Sequence, residues 1–361
     1  MIVGSCPTYV RLGVLALAVA AAAPHAIEAE VRHDDQHVRV VYLMGTRATL
    51  VTYDADGHRA ARRLERLLEV LESTEAELST WRADSAVTRL NAATPGRPYS
   101  LSPSLCSLFG GLEHWTRATS GAFDAAIGAV SAAWGLHSEP RVPSAEEVRA
   151  AREQSGWHHL RFHASRCGVT PDAGVAIDVG GFGKGEALDR AARRLADDPQ
   201  PWMIDLGGQV LVHGTPPDAQ DWTVDLAHPH HREQSVASLV WASGSIATSG
   251  GSERDAHVDG QRVGHILDPR TGEPARFVGS VVVWHESALV ADILSTALYV
   301  MGPAEGTRWA DEHGIAACFL TAQHDEVKFL PTRSFRERAD LSLFRNGVTD
   351  SQSRANASAS R

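Results

Sequence analysis

The chain has 361 residues, long enough to bury the core of one large or two ordinary domains. Apolar residues make up 43% and charged residues 22%, the balance of a globular chain and not of a disordered or fibrous one. A formal net charge of −10 excludes general nucleic-acid binding through a basic surface, but leaves room for a few placed cations to hold a single nucleotide.

The first thirty residues differ from the rest. Arg11 precedes the apolar run Leu12–Ala20 and further alanines, which is the pattern of a secretory signal. The run is shorter than the ~20 residues a spanning helix needs, so cleavage is expected, near Ala26 or Ala29. Cys6 lies before the apolar run, the wrong place for lipid modification. The expected organisation is a signal over residues 1–29, one domain over 30–345 and a small-residue, polar tail expected to be disordered from Asn346 to Arg361. The mature chain keeps Cys106, Cys167 and Cys318, which permits at most one internal disulfide.

Val38–Thr52 is rich in β-branched residues and reads as a strand interrupted by Met44-Gly45-Thr46. Ala60–Leu78 places Leu64, Leu67, Leu68, Leu71 and Leu78 at helical spacing, an amphipathic helix. Trp81 follows it among polar residues, where a tryptophan either packs partly buried or stacks on a flat ligand. Thr119–Asp124 is a small-residue loop ending in a carboxylate, and Ala125–Trp134 reads as helical.

The densest stretch is Asp178–Asp189, D-V-G-G-F-G-K-G-E-A-L-D. Val175-Ala176-Ile177 before it reads as a short strand, and a helix is expected from about Lys184. Gly180, Gly181, Gly183 and Gly185 let backbone approach a ligand. The free N–H groups of the helix start and the charge of Lys184 favour an anion there, and Asp178 adds a carboxylate. Backbone donors, a cation and a carboxylate suit a phosphate ester beside a metal ion or a sugar hydroxyl. Neither G-x-G-x-x-G nor the P-loop pattern is satisfied, so a plain strand–helix connection stays open.

Trp202–Val212 reads as a strand broken at Gly207-Gly208, and Trp222–Leu226 as another. His228-Pro229-His230-His231 reads as a surface loop, not a metal site. Ser245–Ser252 is a strand end followed by hydroxyl and glycine residues. In His265–Gly272, Asp-Pro starts a turn and Gly272 ends it. Ser280–Trp284 is a strand, and Ala288–Met301 a nearly all-apolar helix whose polar exceptions are Asp292, Ser295 and Thr296. Asp292 and Thr296 stand four apart on one face. A carboxylate and a hydroxyl on a buried helix need partners, supplied either by a side-chain hydrogen bond or by a hard cation such as Mg²⁺.

Taken together, Met44-Gly45-Thr46, Leu78-Ser79-Thr80-Trp81, Gly121-Ala122-Phe123-Asp124, Asp178–Lys184, Gly207-Gly208, Thr248-Ser249-Gly250, His265–Gly272 and the Asp292/Thr296 pair resemble the ApbE family of FAD:protein FMN transferases, from about Val38 to about Phe344. The resemblance implies a single compact α+β domain of mixed, largely antiparallel sheets flanked by helices. It implies FAD contacts at Met44, Trp81, Ala122, Phe123, Asp124, Asp178, Lys184 and Ile266. The stacking position at Trp81 is commonly tyrosine in the family, and tryptophan keeps the flat face but loses the phenol. The resemblance also implies a Mg²⁺ held by the carbonyl of Gly181 with Asp292 and Thr296, a base at His265, and catalytic roles for His265, Lys184 and Asp292. The implied reaction moves FMN from FAD to a threonine or serine of an exported client, such as a flavin-carrying subunit of a membrane redox complex, and releases AMP in the periplasm. An exported FAD carrier without turnover and an FAD pyrophosphate hydrolase stay open beside it.

Overall fold

The computed structural model describes residues 35–349, except 218–220, 252–254, 259, 324–325, 339 and 346–347. The expected signal lies outside the described residues, as does most of the tail, although Val348–Thr349 pairs back with Phe344–Arg345.

Eight strands follow one another across one sheet in chain order: β1 (Gln36–Leu43), β2 (Thr46–Tyr53), β3 (Trp202–Leu206), β4 (Gln209–His213), β5 (Gly244–Gly250), β6 (Ser280–His285), β7 (Ala316–Gln323) and β8 (Glu326–Pro331). Every neighbouring pair is antiparallel. The two-residue period of a strand sorts side chains to opposite faces. Val281 and Val283 of β6 join the helix-side core, whereas Val282 joins the core on the other face. Val210 and Val212 of β4 likewise part from Leu211.

Four main helices are α1 (Gly57–Leu78), α2 (Pro103–Ala118), α3 (Gly183–Arg194) and α4 (Ala288–Glu312). The first begins where the Asp56 carboxylate accepts from the N–H groups of His58 and Arg59. Its leucines pack on Leu50, Ile204 and Leu211 of the sheet and on Leu188 of α3. Leu294 and Leu298 of α4 cover Val281 and Val283. By length and apolar composition α4 could cross a membrane, but most of it is buried inside the fold. Met301 ends its first segment, as the apolar pattern predicts. Gly302 then breaks the helix at φ 71°, ψ 175°, and Pro303 opens the second segment. Against the opposite face of the sheet lie Trp222–Ala227 and Ser235–Trp241, in a four-stranded sheet that also holds Asp340–Arg345 and Val348–Thr349.

Three expectations change. Val38–Thr52 is not one interrupted strand but the β1–β2 hairpin, because Met44 and Gly45 both take positive φ (52° and 70°), the geometry of a tight hairpin turn. Trp202–Val212 folds the same way around Gly207 and Gly208. Val175–Ile177 joins no sheet. Two of its backbone groups are taken up by residues distant in the sequence: the side-chain carbonyl of Asn91 accepts from Ile177 N–H at 2.8 Å, and Ala176 O accepts from Gly128 N at 2.9 Å. The His228–His231 stretch is a turn in which the buried His228 Nδ1 accepts from the backbone N–H of His230 and His231.

Cys106 on α2 forms a disulfide with Cys167, 61 residues away, tying the helix to the turn between Leu160–His163 and Gly168–Pro171. Cys318 stays free and buried, and burial pushes its thiol up to about 12. Closing a loop of this length removes chain entropy from the unfolded state. Replacing both Cys106 and Cys167 by serine is therefore expected to cost about 2–5 kcal/mol in urea unfolding. Equal stability with and without the pair would show that the bond does not form.

Candidate active site

Turns and helix ends collect at one edge of the helical layer. At its centre is the start of α3. Lys184 Nζ donates to Asp292 Oδ1 at 3.2 Å, and the backbone N–H of Gly185 donates to Asp292 Oδ2 at 2.9 Å. The Asp292 side chain is 5% exposed and Lys184 25%. The helix start that the sequence presents as open to an anion thus already carries one, a carboxylate from α4, as the helix dipole favours. Contact this close depends on glycine: a Cβ at Gly185 would come within 2.5 Å of Ala288 O and 2.7 Å of Leu289 Cα.

Gly181, in the turn before α3, lies against Thr296 and Phe123. A Cβ built there would sit 3.3 Å from Thr296 Oγ1 and 3.3 Å from Phe123 Cε2. Among the described residues the Thr296 hydroxyl has no hydrogen-bond partner, and the Asp292 carboxylate bonds to Lys184 and Gly185 at the start of α3 instead of to that hydroxyl. Ser295, the third polar residue of this face, pairs with Ser249 at 2.9 Å, which explains the hydroxyl pattern at the end of β5. Met44 reaches over the same helix start, its Cε 3.6 Å from a Cβ built at Gly183, while its N–H donates to Glu75 of α1 at 2.8 Å. Gly207 closes the next hairpin turn against Thr46.

A second cluster joins this turn from the side. Asp178 is buried and accepts from Gly180 N at 2.8 Å and pairs with His137 Nε2 at 2.7 Å. Burial alone pushes the Asp178 carboxyl up, but His137, the Ser131 hydroxyl and Gly180 N–H outweigh it and hold it below the usual range. The same bond raises His137 above 6.5 against the opposing effect of its own burial. Trp81 meets the His137 ring edge-on at 5.8 Å and is 72% exposed, so its indole face is open for stacking and is not part of the core.

The other expected residues sit differently. Ala122 and Phe123 are buried. Both carboxylate oxygens of Asp124 are engaged, by Ala126 N and Trp157 N at 2.8 Å each, and burial raises its pKa. Ile266 packs against the core cluster that holds Phe123, Ile293 and Ala297. His265 makes a pair of its own with Asp255, Nδ1 to Oδ1 at 2.8 Å, and among the described residues no hydrogen bond links it to Lys184 or Asp292. His137, Asp255 and Glu75 escaped the sequence reading because each stands outside any glycine or carboxylate pattern. Only the fold brings them to the site.

The ApbE family model matches residues 44–319, a span that takes in every candidate residue above. The chain belongs to the ApbE family. Proteins named FAD:protein FMN transferase are similar along most of their length. One from Treponema pallidum is 29% identical over 92% of this chain and 99% of its own. One from Escherichia coli K12 is 28% identical over 81% and 86%. Among solved structures, the ApbE protein of Thermotoga maritima superposes with a TM-score of 0.77 at 28% identity, covering 84% of this chain and 99% of that one. The flavin transferase ApbE of Vibrio cholerae gives 0.75 at 27% identity, over 86% and 100%. These likenesses agree with the antiparallel α+β architecture found here.

The His137–Asp178 pair gives this ApbE chain a pH signature. His137 titrates higher folded than unfolded, so its contribution is complete below 6.5 and is lost as pH rises through the raised folded value. Thermal melts should show the wild type losing its advantage over His137→Gln as pH rises from about 6.5 through the raised folded value. A difference that stays constant across that range would contradict the pairing.

Proposed function

We propose that this chain transfers FMN from FAD to a threonine or serine hydroxyl of an exported client, with Mg²⁺, forming a phosphoester and releasing AMP. The observation that carries the reading is the junction of Lys184, Gly181, Asp292 and Thr296 at the start of α3. It combines a cation, one carboxylate, a hydroxyl without a protein partner among the described residues and a turn with no side chain in the way. The names of the similar proteins support the same reading.

The residues fit a hard cation. Asp292, Thr296 and the carbonyl of Gly181 are oxygen donors with a single carboxylate, which is the set Mg²⁺ takes beside phosphates. Among the described residues no three His, Cys, Asp or Glu side chains gather into a metal-binding group. When bound, the ion would draw charge from the phosphates and stabilise the transition state. Lys184 adds a positive charge at the same place. The exposed face of Trp81 offers a stacking surface for a flat ring, and Asp178, kept anionic by His137, offers an acceptor to a sugar or base. His265 takes the proton of the attacking hydroxyl as its oxygen bonds to the phosphorus on the FMN side. The pyrophosphate bond breaks and AMP leaves with the bridging oxygen.

Export is part of the proposal. It draws on the signal pattern of the first residues and on the Cys106–Cys167 disulfide, which suits an oxidising compartment such as the periplasm. The client is then a flavin-carrying protein facing that compartment, as in a membrane redox complex.

Incubating the mature chain with FAD, Mg²⁺ and such an acceptor should add FMN to one hydroxyl residue of the acceptor, seen by mass spectrometry, with AMP formed in equal amount. EDTA should stop both. Free FMN and AMP with an unmodified acceptor would establish a hydrolase instead, and unchanged FAD would establish a carrier.

A further inference from the structure

His265 is held more tightly than its place beside a turn requires. Ala256–Val258 and Gln261–Val263 form a short hairpin that carries the chain from Asp255 round to His265. Asp255 Oδ1 then accepts twice from the same residue, from the His265 backbone N–H at 3.0 Å and from its ring Nδ1 at 2.8 Å. The Asp255 side chain is 7% exposed and that of His265 22%, so the carboxylate lies beneath the ring and the ring keeps an open side. The turn also packs closely beside Gly264, where a Cβ would lie 3.3 Å from Pro274 Cβ and in ordinary contact, 3.8 Å, with Asp255 Oδ1. On the far side, Ala275 N–H donates to Ile266 O at 2.8 Å, which pins the backbone just after the histidine.

An ionised carboxylate only accepts hydrogen bonds. The ring nitrogen facing Asp255 therefore carries the proton, and the lone pair is left on Nε2. We propose that Asp255 is a positioning residue for the transfer reaction, fixing His265 as the Nδ1–H tautomer with Nε2 free to take the proton of the acceptor hydroxyl. The inference rests on the reading of His265 as the base. The proton passes from the acceptor oxygen to Nε2, the resulting imidazolium stays paired with Asp255, and the proton returns to solvent after AMP departs. The division of labour is that of any base oriented by a buried carboxylate, in which the carboxylate sets tautomer and angle without itself taking the proton.

The test uses the full mature chain with FAD, Mg²⁺ and a threonine-bearing acceptor. Nitrogen-15 spectra of histidine-labelled protein, with His265→Ala identifying the peak, should show His265 as the Nδ1–H tautomer, and Asp255→Asn should shift that population. In transfer assays Asp255→Asn should lower kcat at least about 10-fold, since losing the carboxylate that orients a base histidine costs up to about 10⁴-fold. KM for FAD should stay within about twofold, since no binding contact is removed. Asp255→Glu, which restores the charge, should recover part of the rate. Adding Asp255→Asn to His265→Ala should cost nothing further, because the two residues act as a unit. Wild-type kcat in Asp255→Asn while His265→Ala is dead would overturn the positioning role alone, as would an Nε2–H tautomer in the wild type. Full transfer by His265→Ala would sink the base reading and this proposal with it. Should Asp255→Asn melt before it can be assayed, the wild-type tautomer and the rate of Asp255→Glu decide.

Discussion

The carboxylate of Asp292 is the constraint on which the rest of the site hangs. It is buried on an apolar helix, where an uncompensated charge would be strongly destabilising. Compensation comes from two directions at once, the ammonium of Lys184 and the N–H of Gly185 at the start of α3. Both partners must lie within hydrogen-bond reach of one side chain, so α3 and α4 touch backbone to backbone. That contact excludes even a methyl group at Gly185. The glycine turn, Thr296 and Phe123 are placed as a consequence, because Gly181 precedes the same helix start by two residues.

The eight-stranded sheet serves this junction by carrying its neighbours to one edge. Its meander leaves the β1–β2 turn with Met44 and the β3–β4 turn with Gly207 in contact with each other, and Met44 over α3. Long insertions leave the meander after β2 and after β6, and each returns a helix to the same face: α3 from the first, α4 from the second. A chain whose strands pair in order needs no crossover to achieve this, and the antiparallel register follows from that connectivity.

Much of this was legible in the sequence because glycine, leucine and carboxylate patterns report local geometry directly. The leucines of α1, the apolar run of α4 up to Met301 and the start of α3 within a residue or so of Lys184 follow from periodicity and turn chemistry. What failed was anything set by tertiary contact. Val175-Ala176-Ile177 has strand composition, yet Asn91, 86 positions away from Ile177, takes up its backbone N–H. At Met44-Gly45 the composition shows only an interrupted strand, because a non-glycine residue at positive φ leaves no mark in composition. His137 and Asp255 are single polar residues in unremarkable surroundings. Their partners, Asp178 and His265, were visible, but the pairing was not. Asp124 was visible too, and the structure turns its carboxylate inward onto backbone N–H groups.

The central claim is that one buried carboxylate joins the two helices and also holds the cation beside the FAD phosphates. Titration calorimetry of FAD with and without Mg²⁺ tests it directly, on the wild type and on Asp292→Asn. The account predicts that Mg²⁺ tightens FAD binding by the wild type, and that the variant folds, keeps its metal-free affinity and loses the Mg²⁺ increment. An increment of equal size in the variant would contradict it and would reduce Asp292 to a strut between α3 and α4.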